Sequence, residues 1–241
     1  MWYIRRNYEK FIPMKHLLCT ASAILLLLGC SQTFLYAKEP ETQEPVKNWR
    51  SLFDGESLEG WFVPVYGGDG IVEVDEGNLV IGRGALMTGI RYEKEFPRVN
   101  YEIRYEAQRT RGFDFFGACT FPVKDSYATF INGGWGGGLI GLSNIDDRSA
   151  ADNETGMHFG FRHNVWHRFR IRVTDEMVQV WITRQDREGN WEEEQSVIEL
   201  TLADRTLSTR LEVDLFKPLG FTTWSTEGEL RNIEYRLLTE P

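Results

Sequence analysis

Cysteine is scarce in this chain, with 3 among 241 residues. A disulfide-stapled scaffold is therefore excluded. No stretch carries apolar residues at a sustained helical period, so helix bundles and doubly wound α/β folds are excluded as well. No unit of 20–50 residues repeats, which removes solenoids and propellers. Excess positive charge is absent: the formal net charge is −9. A chain this acidic is a poor ligand for nucleic acid or for an anionic membrane surface, and no nucleic-acid partner is expected. The longest apolar run, Ala21 to Leu28, is too short for a permanent transmembrane helix, which needs about 20 residues.

That short run instead has the form of an export signal. A basic segment containing Arg5, Arg6, Lys10 and Lys15 precedes it, and Leu27-Leu28-Gly29-Cys30 follows in the pattern of a bacterial lipobox. Residues 1–29 are expected to be removed and Cys30 to be lipidated, with Tyr36-Ala37 as a weaker rival cleavage site. The chain starts at Met1 or at Met14. Cleavage before Cys30 removes four basic residues and Glu9, which takes the net charge from −9 to −12. Cys19 is lost, Cys30 is acylated, and Cys119 remains alone in Phe115-Phe116-Gly117-Ala118-Cys119-Thr120-Phe121, where it reads as a small buried hydrophobe. Residues 30–47 are polar, charged and without apolar period, as in a flexible tether. The expected location is the cell envelope, at a membrane reached through the lipid.

Residues 48–241 make one domain, and its dominant signal has period two. Val99, Tyr101, Ile103 and Tyr105 alternate with polar residues, as do Phe169, Ile171 and Val173, then Val178, Val180 and Ile182, then Ile233, Tyr235 and Leu237. Turn sequences such as Asp75-Glu76-Gly77-Asn78 and Asp186-Arg187-Glu188-Gly189-Asn190 separate them. The pattern predicts two packed antiparallel sheets, a β-sandwich or jelly roll. Leu202-Ala203-Asp204 is the one expected helical turn.

Site candidates concentrate in Asn132 to Glu154. This stretch opens Asn132-Gly133-Gly134-Trp135-Gly136-Gly137-Gly138 and closes in a polar run with Asn144, Asp146, Asp147, Asp152, Asn153 and Glu154. Glycines at this density suit a sharply bent loop that a ligand can approach. Trp135 and Trp224 are candidate platforms for a ligand, with Asn132 and Asn144 as orienting groups. Asp146, Glu154 and Asp114 are candidate catalytic carboxylates; Asp114 sits among aromatics, where burial would perturb its acidity. No metal centre stands out. His163 and His167 are four apart but lack the glutamate and the helix of a zinc-protease motif, and an irregular calcium site in the acidic run is the remaining cofactor candidate.

Five motifs in order carry a family resemblance. Leu52-Phe53-Asp54-Gly55-Glu56-Ser57-Leu58-Glu59-Gly60-Trp61 is the first, followed by Asn78-Leu79-Val80-Ile81-Gly82-Arg83-Gly84 and Tyr101-Glu102-Ile103-Arg104-Tyr105-Glu106. Asn164-Val165-Trp166-His167-Arg168-Phe169-Arg170-Ile171 is next, and Pro218-Leu219-Gly220-Phe221 with Leu230-Arg231-Asn232-Ile233 closes the series. Together they resemble the 3-keto-disaccharide hydrolase domain family across about Trp49 to Leu238. The resemblance implies a concanavalin A-like jelly roll and a carbohydrate partner. It also implies a substrate whose sugar carries a ketone at C3. Base-assisted elimination and water addition would then split the glycoside. A Glu and a Gln common on one family strand are absent here, where Tyr127-Ala128-Thr129-Phe130-Ile131-Asn132 stands. Two functions stay open: a glycoside-acting hydrolase or lyase, and a non-catalytic carbohydrate-binding envelope lipoprotein.

Overall fold

Alternation along the chain becomes two antiparallel sheets packed face to face. A computed structural model describes residues 48–238. The expected signal segment, Cys30 and the tether lie outside the described residues. In chain order the strands are β1 (Arg50–Ser51), β2 (Trp61–Phe62), β3 (Val72–Asp75), β4 (Asn78–Ile81), β5 (Met87–Tyr92), β6 (Tyr101–Arg111), β7 (Phe116–Val123) and β8 (Ser126–Gly133). They continue as β9 (Leu139–Ser143), β10 (Met157–His158), β11 (His167–Val173), β12 (Met177–Arg184), β13 (Gln195–Thr201), β14 (Gly220–Trp224) and β15 (Glu227–Leu237). One sheet runs β13-β12-β11-β6-β15-β4-β3, with β1 beside β15, and the other runs β10-β9-β8-β7-β14-β5-β2. This is the expected all-β sandwich.

The two sheets join through aromatics. Tyr105 meets Phe221 at 4.8 Å between ring centres, and Phe169 meets Phe130 at 5.8 Å. The tyrosine hydroxyls do not stay orphaned in this core: Tyr101 donates to the Pro122 carbonyl at 2.5 Å and Tyr105 to the Gly117 carbonyl at 3.0 Å. Cys119 is buried here and burial pushes its thiol well up, so it is an inert packing residue as expected. Glu76 and Gly77 close the β3–β4 hairpin with φ of 49° and 82°, the left-handed pair that a two-residue hairpin turn requires.

The polar half of the alternation forms a lattice on the outer face of the larger sheet. Cross-strand register aligns Arg172, Glu102 and Arg236 in one row and Arg168, Glu106 and Arg231 in another. Glu102 is 0 % exposed. It accepts from Arg170 at 2.9 Å, Arg172 at 2.7 Å and Arg236 at 2.6 Å. Burial pushes its carboxyl up, but the bond from Arg172 and the charges of Arg172, Arg170 and Arg236 outweigh that, and the net direction is down. Trp49, Trp166, Trp181 and Trp191 lie against Arg104, Arg231, Arg170 and Arg168 at 4.2, 3.9, 3.7 and 4.2 Å. Trp166, Trp181 and Trp191 are thus structural lids on ion pairs. Trp61 is buried and donates to the Leu52 carbonyl at 2.8 Å.

One local expectation fails. Leu202–Asp204 forms a turn, and the helical segment is a 3₁₀ piece at Leu211–Phe216. Val213 and Phe216 are its buried residues, packed on the outer face of the smaller sheet with Met87, Ala118 and Ile131. Two apolar contacts in a six-residue 3₁₀ segment leave no 3.6-residue period to read in the sequence.

Candidate functional site

Alternation in the smaller sheet sends Thr129 and Ile131 of β8 and Ser143 of β9 to the face opposite the core. The 3₁₀ segment covers part of that face. Beside it lies a cavity of about 300 Å³ lined by Met87, Asp114, Phe115, Thr129, Ile131, Trp135, Ser143, Arg210, Glu212, Val213 and Trp224. That volume falls at the small end of ligand sites, and the lining is the usual mix of aromatic walls and a few converging polar groups.

The glycine-rich loop explains how Asp114 is held. After β8 the chain makes one tight turn over Gly134–Gly137, but Trp135 (φ 49°) and Gly136 (φ 87°) are left-handed. A turn that passes into left-handed backbone at Trp135 brings successive N–H groups to one side, the geometry of an anion nest. The Asp114 carboxylate faces it: it accepts the Phe115 N–H, and the N–H groups of Gly136 and Trp135 favour its ionised form. Its Oδ1 receives the Phe115 N–H at 2.9 Å. Burial raises the Asp114 pKa, and those N–H bonds together with the Arg109 charge oppose the rise without cancelling it. Trp135 is 50 % exposed and half of its indole is free to meet a ligand. Its own positive φ is costly for a non-glycine residue, as is common where a loop is shaped for function.

The other polar groups of the cavity come from separate elements. Arg210 donates to Glu212 at 3.0 Å. That bond holds the Arg210 pKa up and the Glu212 carboxyl down, so both stay charged. Thr129 shares a 2.9 Å bond with Thr120, and Ser143 donates to the Asn144 side chain at 2.7 Å.

Three predicted residues therefore meet in one place: Asp114, Trp135 and Trp224. Four do not. Asn132 is 0 % exposed and lies in β8 in phase with Phe130, so it faces the core and its amide lacks a protein partner. Asn144 is tied by its backbone to Ser208, giving an N–H bond of 2.7 Å and taking one of 3.2 Å. Asp146 accepts from the Thr206 N–H at 2.9 Å and pairs with Arg205. Glu154 pairs with that same Arg205. The polar run is braced from inside by Asn153, whose Nδ2 donates to the Leu142 and Ser149 carbonyls, each at 2.8 Å. Of its carboxylates, Asp146 and Glu154 are engaged by Arg205, and Asp152 accepts from Ser149 at 2.6 Å. Among the described residues no three His, Cys, Asp or Glu side chains group as a metal would require. The two spaced histidines also part company. His163 Nε2 bonds to the Gly112 carbonyl at 2.7 Å, while His167 is buried among Phe116, Phe159, Phe161 and Phe169.

Sequence reasoning missed Arg210, Glu212, Ser143, Thr129 and Arg109. Arg109 had a signal: it continues the core-facing phase of Tyr101, Ile103, Tyr105 and Ala107 in β6. Arg210 and Glu212 had none, because the segment before β14 carries no period.

Fold and site define a concanavalin A-like sandwich of the kind found in lectins and glycosyl hydrolases. A family model described as the 3-keto-alpha-glucoside-1,2-lyase-like domain matches residues 48–234, and the chain belongs to that family. No curated protein matches it. Among solved structures, the exoplasmic/lumenal domain of VIP36 in its Ca2+/Man3GlcNAc-bound form is similar at TM-score 0.50 and 12% identity, over 80% of this chain and 92% of that one. A candidate glycosyl hydrolase from Parabacteroides distasonis gives TM-score 0.46 and 12% identity, over 80% of this chain and 95% of the other. The Lotus tetragonolobus seed lectin gives 0.47 and 10%, over 76% and 95%. At these identities the likeness is one of fold.

Proposed function

We propose that this protein is a carbohydrate-acting enzyme that breaks the glycosidic bond of 3-keto-glycosides, with Asp114 as its acid–base group. The supporting observation is a single carboxylate of raised pKa in one cavity with two indoles, Trp135 and Trp224. The indoles suit the C–H face of a sugar ring. A carboxylate whose pKa is raised by burial holds a proton more readily than an exposed one, and a positioned carboxylate can both take and return it.

The chemistry follows from the ketone. A carbonyl at C3 makes the C2 hydrogen acidic. Asp114 removes it, and the C–H electrons form an enolate that the Arg210 charge favours. The enolate collapses to a C1–C2 double bond and the C1–O bond breaks. Asp114, now protonated, gives its proton to the departing oxygen. Water then adds at C1 with a proton returning to C2, and the net reaction is hydrolysis; release before this step makes the enzyme a lyase. Family membership supports a substrate of this class.

The test is incubation of the purified mature domain with a 3-keto-glucoside in D2O. The expected result is release of the aglycone alcohol and deuterium at C2, both lost in Asp114→Asn, which still binds sugar. Unchanged substrate at high protein concentration, with sugar binding intact, would replace this reading with that of a carbohydrate-binding protein.

We also infer that the chain is exported and held at an envelope membrane by lipid on Cys30, with residues 30–47 as tether. The lipobox-like Leu27-Leu28-Gly29-Cys30 supports this, and a net charge of −12 gives the rest of the chain no attraction of its own to an anionic membrane. Cys30→Ser should move the protein to the soluble fraction; retention in membranes overturns the assignment.

A further inference from the structure

Behind the cavity lies a buried cation that packing does not explain. Arg109 is 3 % exposed. Among the described residues no carboxylate lies at ion-pair distance from it, and its Nε has no hydrogen-bond partner. Burying a guanidinium without an ion pair is unfavourable, and an aliphatic side chain would fill the same phase of β6 at less cost. Its position has a different logic. Nη1 donates to the carbonyls of Gly137 at 3.2 Å and Asp114 at 3.4 Å, and Nη2 donates to the Phe161 carbonyl at 3.1 Å. The Phe116 ring lies against the guanidinium, 5.5 Å from Cζ. One planar fork thus grips the residue that bears the carboxylate, the end of the loop that forms its nest, and the segment before β11. Gly137 leaves room for it: at φ 104° a Cβ would lie 2.9 Å from Nη1.

We propose that Arg109 is a positioning residue for Asp114, locking the Gly134–Gly137 nest around the carboxylate and setting the charge behind it. This rests on the reading of Asp114 as the acid–base group. The fork geometry matters as well as the charge, because a lysine ammonium cannot hold three carbonyls in one plane. The charged groups around the Asp114 carboxylate are Arg109 on β6 behind it and, sharing its cavity, Arg210 and Glu212. Arg109 is the cation that acts on its ionisation, and it favours the anion.

The experiment compares Arg109→Gln, Arg109→Lys and wild type as purified mature protein. Asp114 is followed by carbon NMR titration of its carboxyl, with Asp114→Asn assigning the resonance, and kcat and KM are measured on a 3-keto-glucoside. Glutamine removes the charge, so the Asp114 midpoint should move up and kcat should fall about 10²-fold with a smaller change in KM, as for a misplaced reacting group. Lysine keeps the charge and loses the fork. Its midpoint should stay near wild type while kcat falls by a smaller factor. An unchanged Asp114 midpoint in folded Arg109→Gln overturns the proposal. Should that variant fail to fold, wild-type kcat in Arg109→Lys overturns it instead. The NMR arm needs no turnover. If Asp114→Asn proves active, the acid–base reading falls while the titration still decides whether Arg109 governs Asp114.

Discussion

Replacing His167 with Asn should flatten part of the acid sensitivity of this fold. His167 is 0 % exposed, its Nδ1 bonds to the Val165 carbonyl at 2.9 Å, and four phenylalanines surround its ring. Burial, reinforced by the charges of Arg184 and Arg109, depresses its pKa from 6.5 to about 4 despite the bond to Val165, which opposes the shift. The imidazole is therefore neutral in the fold at neutral pH. In the unfolded chain it takes a proton as pH falls through 6.5, whereas the folded chain resists until about 4. Stability from this group is complete above the unfolded value and is lost across that window. At about 1.4 kcal/mol for each tenfold change in proton affinity, the loss is about 3 kcal/mol. Asn retains a donor near Nδ1 but cannot titrate. The assay is urea unfolding of both proteins from pH 7 to pH 4. The variant starts less stable because of lost packing, and the gap should narrow by about 3 kcal/mol at the acid end. A gap that stays constant over this range refutes the account of a buried neutral imidazole.

Three other outcomes are expected. Trp135→Ala should weaken sugar binding by about 1–2 kcal/mol, roughly 5- to 30-fold by calorimetry, because the half-exposed indole is an accessible aromatic wall of the cavity. Glu102→Gln should destabilise the domain by about 3–5 kcal/mol in urea unfolding, since it removes the buried negative charge that Arg170, Arg172 and Arg236 share. Asp146→Asn should cost less than about 1 kcal/mol and leave turnover of a 3-keto-glucoside unchanged, because its pair with Arg205 lies near the surface, away from the cavity.

The strands were legible because a half-buried strand must alternate. Val99–Tyr105, Phe169–Val173, Val178–Ile182 and Ile233–Leu237 overlap β6, β11, β12 and β15 closely. Alternation does not say which polar residue meets which. Glu102 and Glu106 stand on the polar phase of β6, and register with β11 and β15 buries both under arginines. The site was half legible. Asp114, Trp135 and Trp224 stood out as a charge among aromatics and as indoles beside turn residues, and these three converge. The acidic run misled, because Asp146 and Glu154 are chemically suitable bases whose lone pairs are already taken by Arg205, 51 residues or more away along the chain. Asn132 misled through phase: one residue along β8 from Ile131, its side chain crosses to the core.

By itself, then, the sequence determined the local preferences of this protein: period-two strands, a bend too rich in glycine to be regular, the acidity of the chain and its family. Each of these rests on neighbours within a few residues. Tertiary structure decided which carboxylate shares a cavity with two indoles and which are paired with arginine. It also decided which arginine lies behind the nest. Those outcomes depend on sheet register and on the segment Leu211–Phe216 crossing to the face of strands far from it in sequence, where distance and burial set the chemistry.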